Sequence, residues 1–149
     1  MTHTTDDPEP IRLIFEDADL TGWVRTAGQR MTDILQAGEP FSFLPTGGDA
    51  SQWTEVFPDD LVLVVPPPHV SSPDRRLRGH QHEVMIRAGA YGIAGTAHLR
   101  PGEQDDPILR ATRRFLPLTG VTFGHEQGPD EHAEVVIVNL RRTSEFGLA

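Results

Sequence analysis

The sequence has no cysteine, no lysine and only one tyrosine. Without thiols there is no disulfide framework, no zinc ribbon and no cysteine nucleophile. Without lysine there is no phosphate loop of the kind that closes on a Lys, and no G-x-G-x-x-G run stands in for it. Long apolar runs are also missing. None approaches the roughly 20 residues that a membrane helix needs. The opening MTHTTDDPEP has neither a basic stretch nor an apolar one of the secretory kind. These absences predict a soluble cytoplasmic protein with no membrane partner.

Hydrophobic residues make up only 37% of the 149, while 14 glycines and 13 prolines interrupt the chain often. That composition favours many short elements over long helices. All 13 basic residues are arginine, against 22 acids, for a net charge of −9. Residues 11–65 carry nine acids and three arginines, and residues 81–142 carry eight acids and seven arginines. An acidic first half repels phosphate backbones, so nucleic acid is not expected as a general partner. None of Ser42, Ser51, Ser71, Ser72 and Ser144 sits in a G-x-S-x-G strand-to-helix turn. Carboxylate pairs such as Asp59-Asp60 and Asp105-Asp106 fall at loops or helix starts, where acids belong in any case. No catalytic residue is expected, and the reading leans away from an enzyme without deciding it.

What the chain does contain is self-similarity. Shifted by 74 positions, residues 28–65 align with 102–139 without a gap and share eight identities, against about two expected from average residue usage. Gly28 meets Gly102, Ile34-Leu35 meets Ile108-Leu109, Phe41 meets Phe115, and Val62 and Val64 meet Val136 and Val138. Upstream, a shift of 73 sets Gly22 on Gly95 and Ile11–Phe15 on Val84–Ala88. Repeats of this kind govern the reading of everything else. Each unit reads as two strands, a short helix and two further strands. Asp106 and Pro107 start the second helix, Thr32 caps the first and Gly38 stops it. Residues 11–65 form unit one and 81–142 unit two. The Pro/Arg-rich stretch 66–80 is a linker, and 1–10 and 143–149 are disordered tails. Such small units close only a marginal core alone. The expectation is therefore a mainly β (α+β) fold, a pseudo-twofold barrel or two-sheet sandwich of two ββαββ-like repeats sharing one interior.

The spacing G-x-h … G-x-R-x-x-D-h-L … F-x-x-L, from Gly22 through Gly28, Arg30, Asp33 and Leu35 to Phe41 and Leu44, resembles a small uncharacterised β-rich domain common in bacterial genomes. The second copy keeps Gly102, Ile108-Leu109 and Phe115 but has Gln104 and Pro107 in place of Arg30 and Asp33. The resemblance implies a β-rich fold and no known activity.

Three groups of residues carry candidate chemistry. Trp53 and Phe57 lie in the polar loop GGDASQWTEVFPDD, where large aromatics either tuck under the fold or form a contact site. Arg110, Arg113 and Arg114 follow one another on the second helix, where guanidinium groups either grip an anion or form a solvated face. His80 and His82 are two apart on a strand and so share a face. With His98 from the next strand they are candidate ligands for a divalent metal, the alternative to a chain with no cofactor. The leading expectation is a non-catalytic interaction or assembly module. Strand edges and the Trp53–Phe57 loop would bind another protein or the chain's own copies. The rival is a metal-dependent enzyme or small-ligand binder using the histidines.

Overall fold

The computed structural model describes residues 7–68, 80–104 and 106–148. The first half runs through β1 (Glu9–Phe15), β2 (Asp19–Val24), α1 (Met31–Ala37), β3 (Phe41–Pro45), β4 (Thr54–Val56) and β5 (Leu61–Val65). The second runs through β6 (His80–Ala88), β7 (Tyr91–Leu99), α2 (Asp106–Thr112), β8 (Phe115–His125), β9 (Glu131–Asn139) and β10 (Thr143–Leu148). Single 3-10 turns over Pro58–Asp60 and Leu140–Arg142 lead into β5 and β10.

The ten strands of the described residues belong to one antiparallel sheet in the order β10-β6-β7-β8-β9-β5-β1-β2-β3-β4. Among the described residues it is not a closed barrel, because β10 and β4 each have a neighbour on one side only, and the strands are hydrogen-bonded as one sheet and not as two. The mainly β class stands, and the expected closure does not. Several local expectations also change. Residues 143–148 form an edge strand on β6, from Thr143 against Ala88 to Leu148 against Val84, in place of a tail. β1 begins at Glu9, inside the other expected tail, and His80 opens β6 where the linker was to end. Within the linker, Pro66–Pro68 are described, and residues 69–79 lie outside the described residues.

β5 and β9, aligned in sequence as counterparts, are neighbours in the sheet, with Leu63 opposite Val138 and Val64 opposite Ile137. The cause lies at Pro58. The β3–β4 hairpin breaks after Val56, the chain makes a 3-10 turn over Pro58–Asp60, and β5 emerges beside β1. The β8–β9 hairpin instead continues to Phe115 opposite Asn139, and its 3-10 turn comes later, before β10.

The strand patterns follow from burial. Along β6, Val84, Ile86 and Ala88 are buried while Gln81, Glu83, Met85 and Arg87 are exposed, the period-two alternation of a strand with one wet face. Leu61–Val64 of β5 are buried without alternation, because both faces of this central strand are covered. The helices have seven residues each, too few to stand alone in water. Met31 and Leu35 anchor α1, and Leu109 anchors α2. Helix α1 starts after Arg30, which has extended backbone and makes no side-chain cap, so the expected capping by Thr32 is not the one used. It ends at Gly38, which takes φ 76° and donates its N–H to the Leu35 carbonyl.

Two apolar clusters form. Ile11, Leu13, Val24, Phe43 and Val64 gather with α1, while Ile86, Ile93, Leu118, Phe123 and Val138 gather with Leu109 of α2. Leu63 and Ile14 belong to the second of these, whereas the adjacent Val64 and Leu13 belong to the first. Adjacent strand residues point to opposite faces. The two halves therefore pack their cores on opposite sides of the one sheet, and β5 and β1 serve both.

Candidate contact face

β2, β3 and β4 form the end of the sheet farthest from the second half. Val24, Phe43 and Val56 point into the α1 side of the sheet. The alternate residues point the other way, to the side of the sheet on which the second half packs its own core. Trp23 stands opposite Leu44, and the register that sets Phe43 against Thr54 brings Trp53 alongside Leu44 on β3's other side. The result is a cross-strand row of Trp23, Leu44 and Trp53. One step along, Ser42 lies opposite Glu55, and Arg25 extends its guanidinium over the Trp53 ring, 4.4 Å from the centroid. A cation over an indole in this geometry fixes the ring's orientation as well as adding attraction.

Burial separates the two aromatics named from the loop. Trp53 is half-buried beneath Arg25, whereas Phe57 is 52% exposed and Trp23, on the neighbouring strand, 41%. Trp53 is held in place from its N-terminal side. Asp49 accepts a hydrogen bond from the Ser51 N–H, and the Gln52 side chain accepts from the Asp49 N–H, closing a capping box over the 3-10 turn Ala50–Gln52. Gly48 lies against Leu44 where a Cβ would be 3.2 Å from Cδ1, so this turn packs on the row. The face is apolar and aromatic at its centre, with Arg25 and Glu55 beside it. Sequence reasoning found Trp53 and Phe57 but not Trp23 and Arg25. Their alternation with buried Gly22 and Val24 in β2 was the signal that could have placed them.

The three arginines of α2 and the residues after it have intramolecular partners. Arg110 donates through Nη1 to the Leu140 and Thr143 carbonyls at 2.9 Å each. Arg113 makes a fork with Glu103, Nε to Oε2 at 2.9 Å and Nη2 to Oε1 at 3.0 Å. Burial pushes the Glu103 carboxyl up, but hydrogen bonds from Arg113, the Arg100 N–H and Thr112 outweigh it and hold it below the usual range. Arg114 reaches Asp59 at 2.6 Å, and Arg141 reaches the same carboxylate at 3.1 Å. The Arg114 bond above all, opposed by desolvation and aided by the charges of Arg141 and Arg142, keeps the Asp59 carboxyl low. A cavity of about 260 Å³ opens between these side chains and Leu140. The three do not form one open guanidinium face: each is tied to a different part of the fold.

The histidines separate across the sheet. His82 pairs with Ala97, and His98 with Gln81. Directly opposed residues share a face, so His98 lies with Gln81 on one side and His80 and His82 on the other. The sheet itself stands between His98 and the other two, and the three cannot meet at one ion. Among the described residues, no group of three or more His, Asp or Glu side chains is placed to hold a metal. No protein-family model, no curated protein and no solved structure matches this chain, and its reading rests on the geometry of the face itself.

Proposed function

We propose that the chain is a non-catalytic protein-interaction module and that it meets another protein through the outer face of β2, β3 and β4. One observation carries this: Trp23, Trp53 and Arg25 stand together at the outer end of the sheet, with Trp23 41% exposed and Arg25 over the Trp53 ring. Trp and Arg dominate the energetics of protein contacts, because each places a large, rigid surface in a desolvated pocket. Trp53 is already fixed by Arg25, so little side-chain freedom remains to be lost on binding. Gly22–Leu44, the stretch that resembles a bacterial β-rich domain, supplies β2 and β3 of this face.

The same reading includes an ancient duplication. Its support is the common strand order, β5-β1-β2-β3-β4 beside β10-β6-β7-β8-β9, with a 3-10 turn before the last strand of each half. The test of the contact face is affinity purification from the native host with wild type and Trp23→Ser, both checked as folded by circular dichroism. A stoichiometric partner should bind the variant about 30-fold more weakly, the effect of losing one anchor of about 2 kcal/mol. Equal retention by both would move the contact elsewhere, and retention of no protein by wild type would end the reading.

A further inference from the structure

The end of α2 gathers positive charge in a chain whose net charge is −9. The cavity of about 260 Å³ there is lined by Arg110, Arg113 and Arg114, and by Arg141 from the 3-10 turn before β10. Ala111, Thr112 and Leu140 complete the wall, and among the described residues no carboxylate lines it. The acids that answer these arginines lie outside it. Glu103 pairs with Arg113 alone, whereas Asp59 is shared between Arg114 and Arg141. Leaving Arg110 out of the count, three guanidinium groups at the wall meet two carboxylates, and one positive charge is in excess. Arg142, with its partners Glu16 and Asp60, is not part of the wall. The carbonyl end of a helix carries about half a negative charge at most, which this excess outweighs.

Donors are also left over. A guanidinium has five N–H groups. Arg113 uses Nε and Nη2, on Glu103 and the His98 carbonyl, and Arg141 uses Nη1, on Asp59. Among the described residues, Arg113 Nη1 and Arg141 Nε and Nη2 have no acceptor, and Arg114 Nε is buried without one. The Arg141 side chain is 59% exposed, which leaves it free to close on a ligand.

We propose that this cavity binds a small phosphate monoester. Its guanidinium groups come from two segments, the end of α2 and the turn before β10. The oxygens of a phosphate accept from several directions at once, whereas a carboxylate presents two in one plane and suits a single fork. The volume is below the roughly 300–1,000 Å³ of pockets for drug-sized ligands, so the organic group is small, and Ala111 and Leu140 give it an apolar wall. All four arginines belong to the second half, so the site stands apart from the tryptophan face.

Isothermal titration calorimetry in low-salt buffer, with phenyl phosphate and with inorganic phosphate, provides the test. Wild type should show one saturable site for phenyl phosphate with Kd below about 1 mM, and added salt should weaken it. Inorganic phosphate should bind about threefold more weakly, for want of the apolar contact. Arg141→Ala should weaken phenyl phosphate about tenfold, the loss of one charge-assisted hydrogen bond. Asp59→Asn removes a competing carboxylate and should tighten binding about threefold, a gain that damage to the fold would not produce. Arg87→Ala, in β6 and outside the cavity, should bind as wild type does. Should Arg141→Ala fail to fold by circular dichroism, the Asp59→Asn gain decides alone. Wild type that shows no saturable binding up to about 10 mM would overturn the proposal. So would Asp59→Asn binding no tighter than wild type, Arg87→Ala losing as much as Arg141→Ala, or inorganic phosphate binding as tightly as the monoester.

Discussion

Gly22 and Gly95 show how single residues set this sheet's geometry. A Cβ at Gly22 would collide with the Leu44 carbonyl oxygen and lie 2.7 Å from the Phe43 ring. At Gly95 it would lie 3.1 Å from Val121 Cγ2 and 3.2 Å from the Thr119 oxygen. Both positions are crowded by the third strand of their half, which explains the repeated glycine without appeal to backbone freedom. Gly92, in the same strand as Gly95, faces open space, with nothing within 4 Å of where its Cβ would stand. Gly22→Ala is therefore expected to destabilise by about 3 kcal/mol, the upper range for forcing an atom into packed surroundings. Gly92→Ala should stay within about 0.5 kcal/mol of wild type. Urea denaturation of the two variants checks the contrast, and equal effects would refute it.

At the scale of the element, α1 matters for what its outer residue holds. Gln36 Oε1 accepts from the Arg114 N–H at 2.9 Å and the Phe115 N–H at 2.6 Å. A helix of the first half thus satisfies the start of β8 in the second. Gln36→Ala leaves two donors at a partly buried strand start without their acceptor, at an expected cost of about 2 kcal/mol. Amide hydrogen exchange should show lost protection at Arg114 and Phe115 beyond any global change. Unchanged protection there would show that the bonds carry little weight. Much of the element pattern was legible: the hairpin β6–β7, both helices, the Gly38 stop and the strong apolar strands follow from period and turn residues. β10 was not, because TSEFGL offers one large inward side chain, Phe146, and its strand is created by pairing with β6. β4 was hidden for the same reason. The shift of β5 to a different sheet position depends on where a 3-10 turn interrupts a hairpin, a tertiary choice that residue identities alone do not reveal. In the contact face, aromatic loop residues could be picked out by size, but the row they form with Trp23 depends on register. That Arg110, Arg113 and Arg114 are held apart was not legible, because their partners, the Leu140 and Thr143 carbonyls, Glu103 and Asp59, come from separate segments.

The whole molecule is drawn together by Arg12. Its guanidinium forks onto Asp19, Nε to Oδ1 at 2.8 Å and Nη2 to Oδ2 at 2.6 Å, and onto Glu131, Nη1 to Oε1 at 2.8 Å and Nη2 to Oε2 at 2.9 Å. It also lies 5.6 Å from the centre of the Phe123 ring. One side chain of β1 therefore binds the end of the β8–β9 hairpin, 119 residues away, across the face where the second core meets the first half. The hydrogen bonds from Arg12, against the opposing effect of burial, hold the Glu131 carboxyl below its usual range. A carboxyl lowered on folding stabilises the native state above its unfolded pKa, roughly 4.3, and that contribution disappears as pH falls through the lower folded value. Arg12→Met keeps much of the stem's packing and removes the fork. It should cost about 1–2 kcal/mol at pH 7, a value reduced for the partial exposure of both carboxylates. For a chain of this size that corresponds to a fall of about 4 °C in Tm. The gap between variant and wild type should narrow as pH falls through the lowered folded value of Glu131, where that carboxylate takes up its proton. Thermal melts of both proteins from pH 7 to pH 3 provide the measurement. A gap that stays constant over that range would mean that Arg12 acts through its packing on Phe123, with the ion pairs contributing nothing to the union of the two halves.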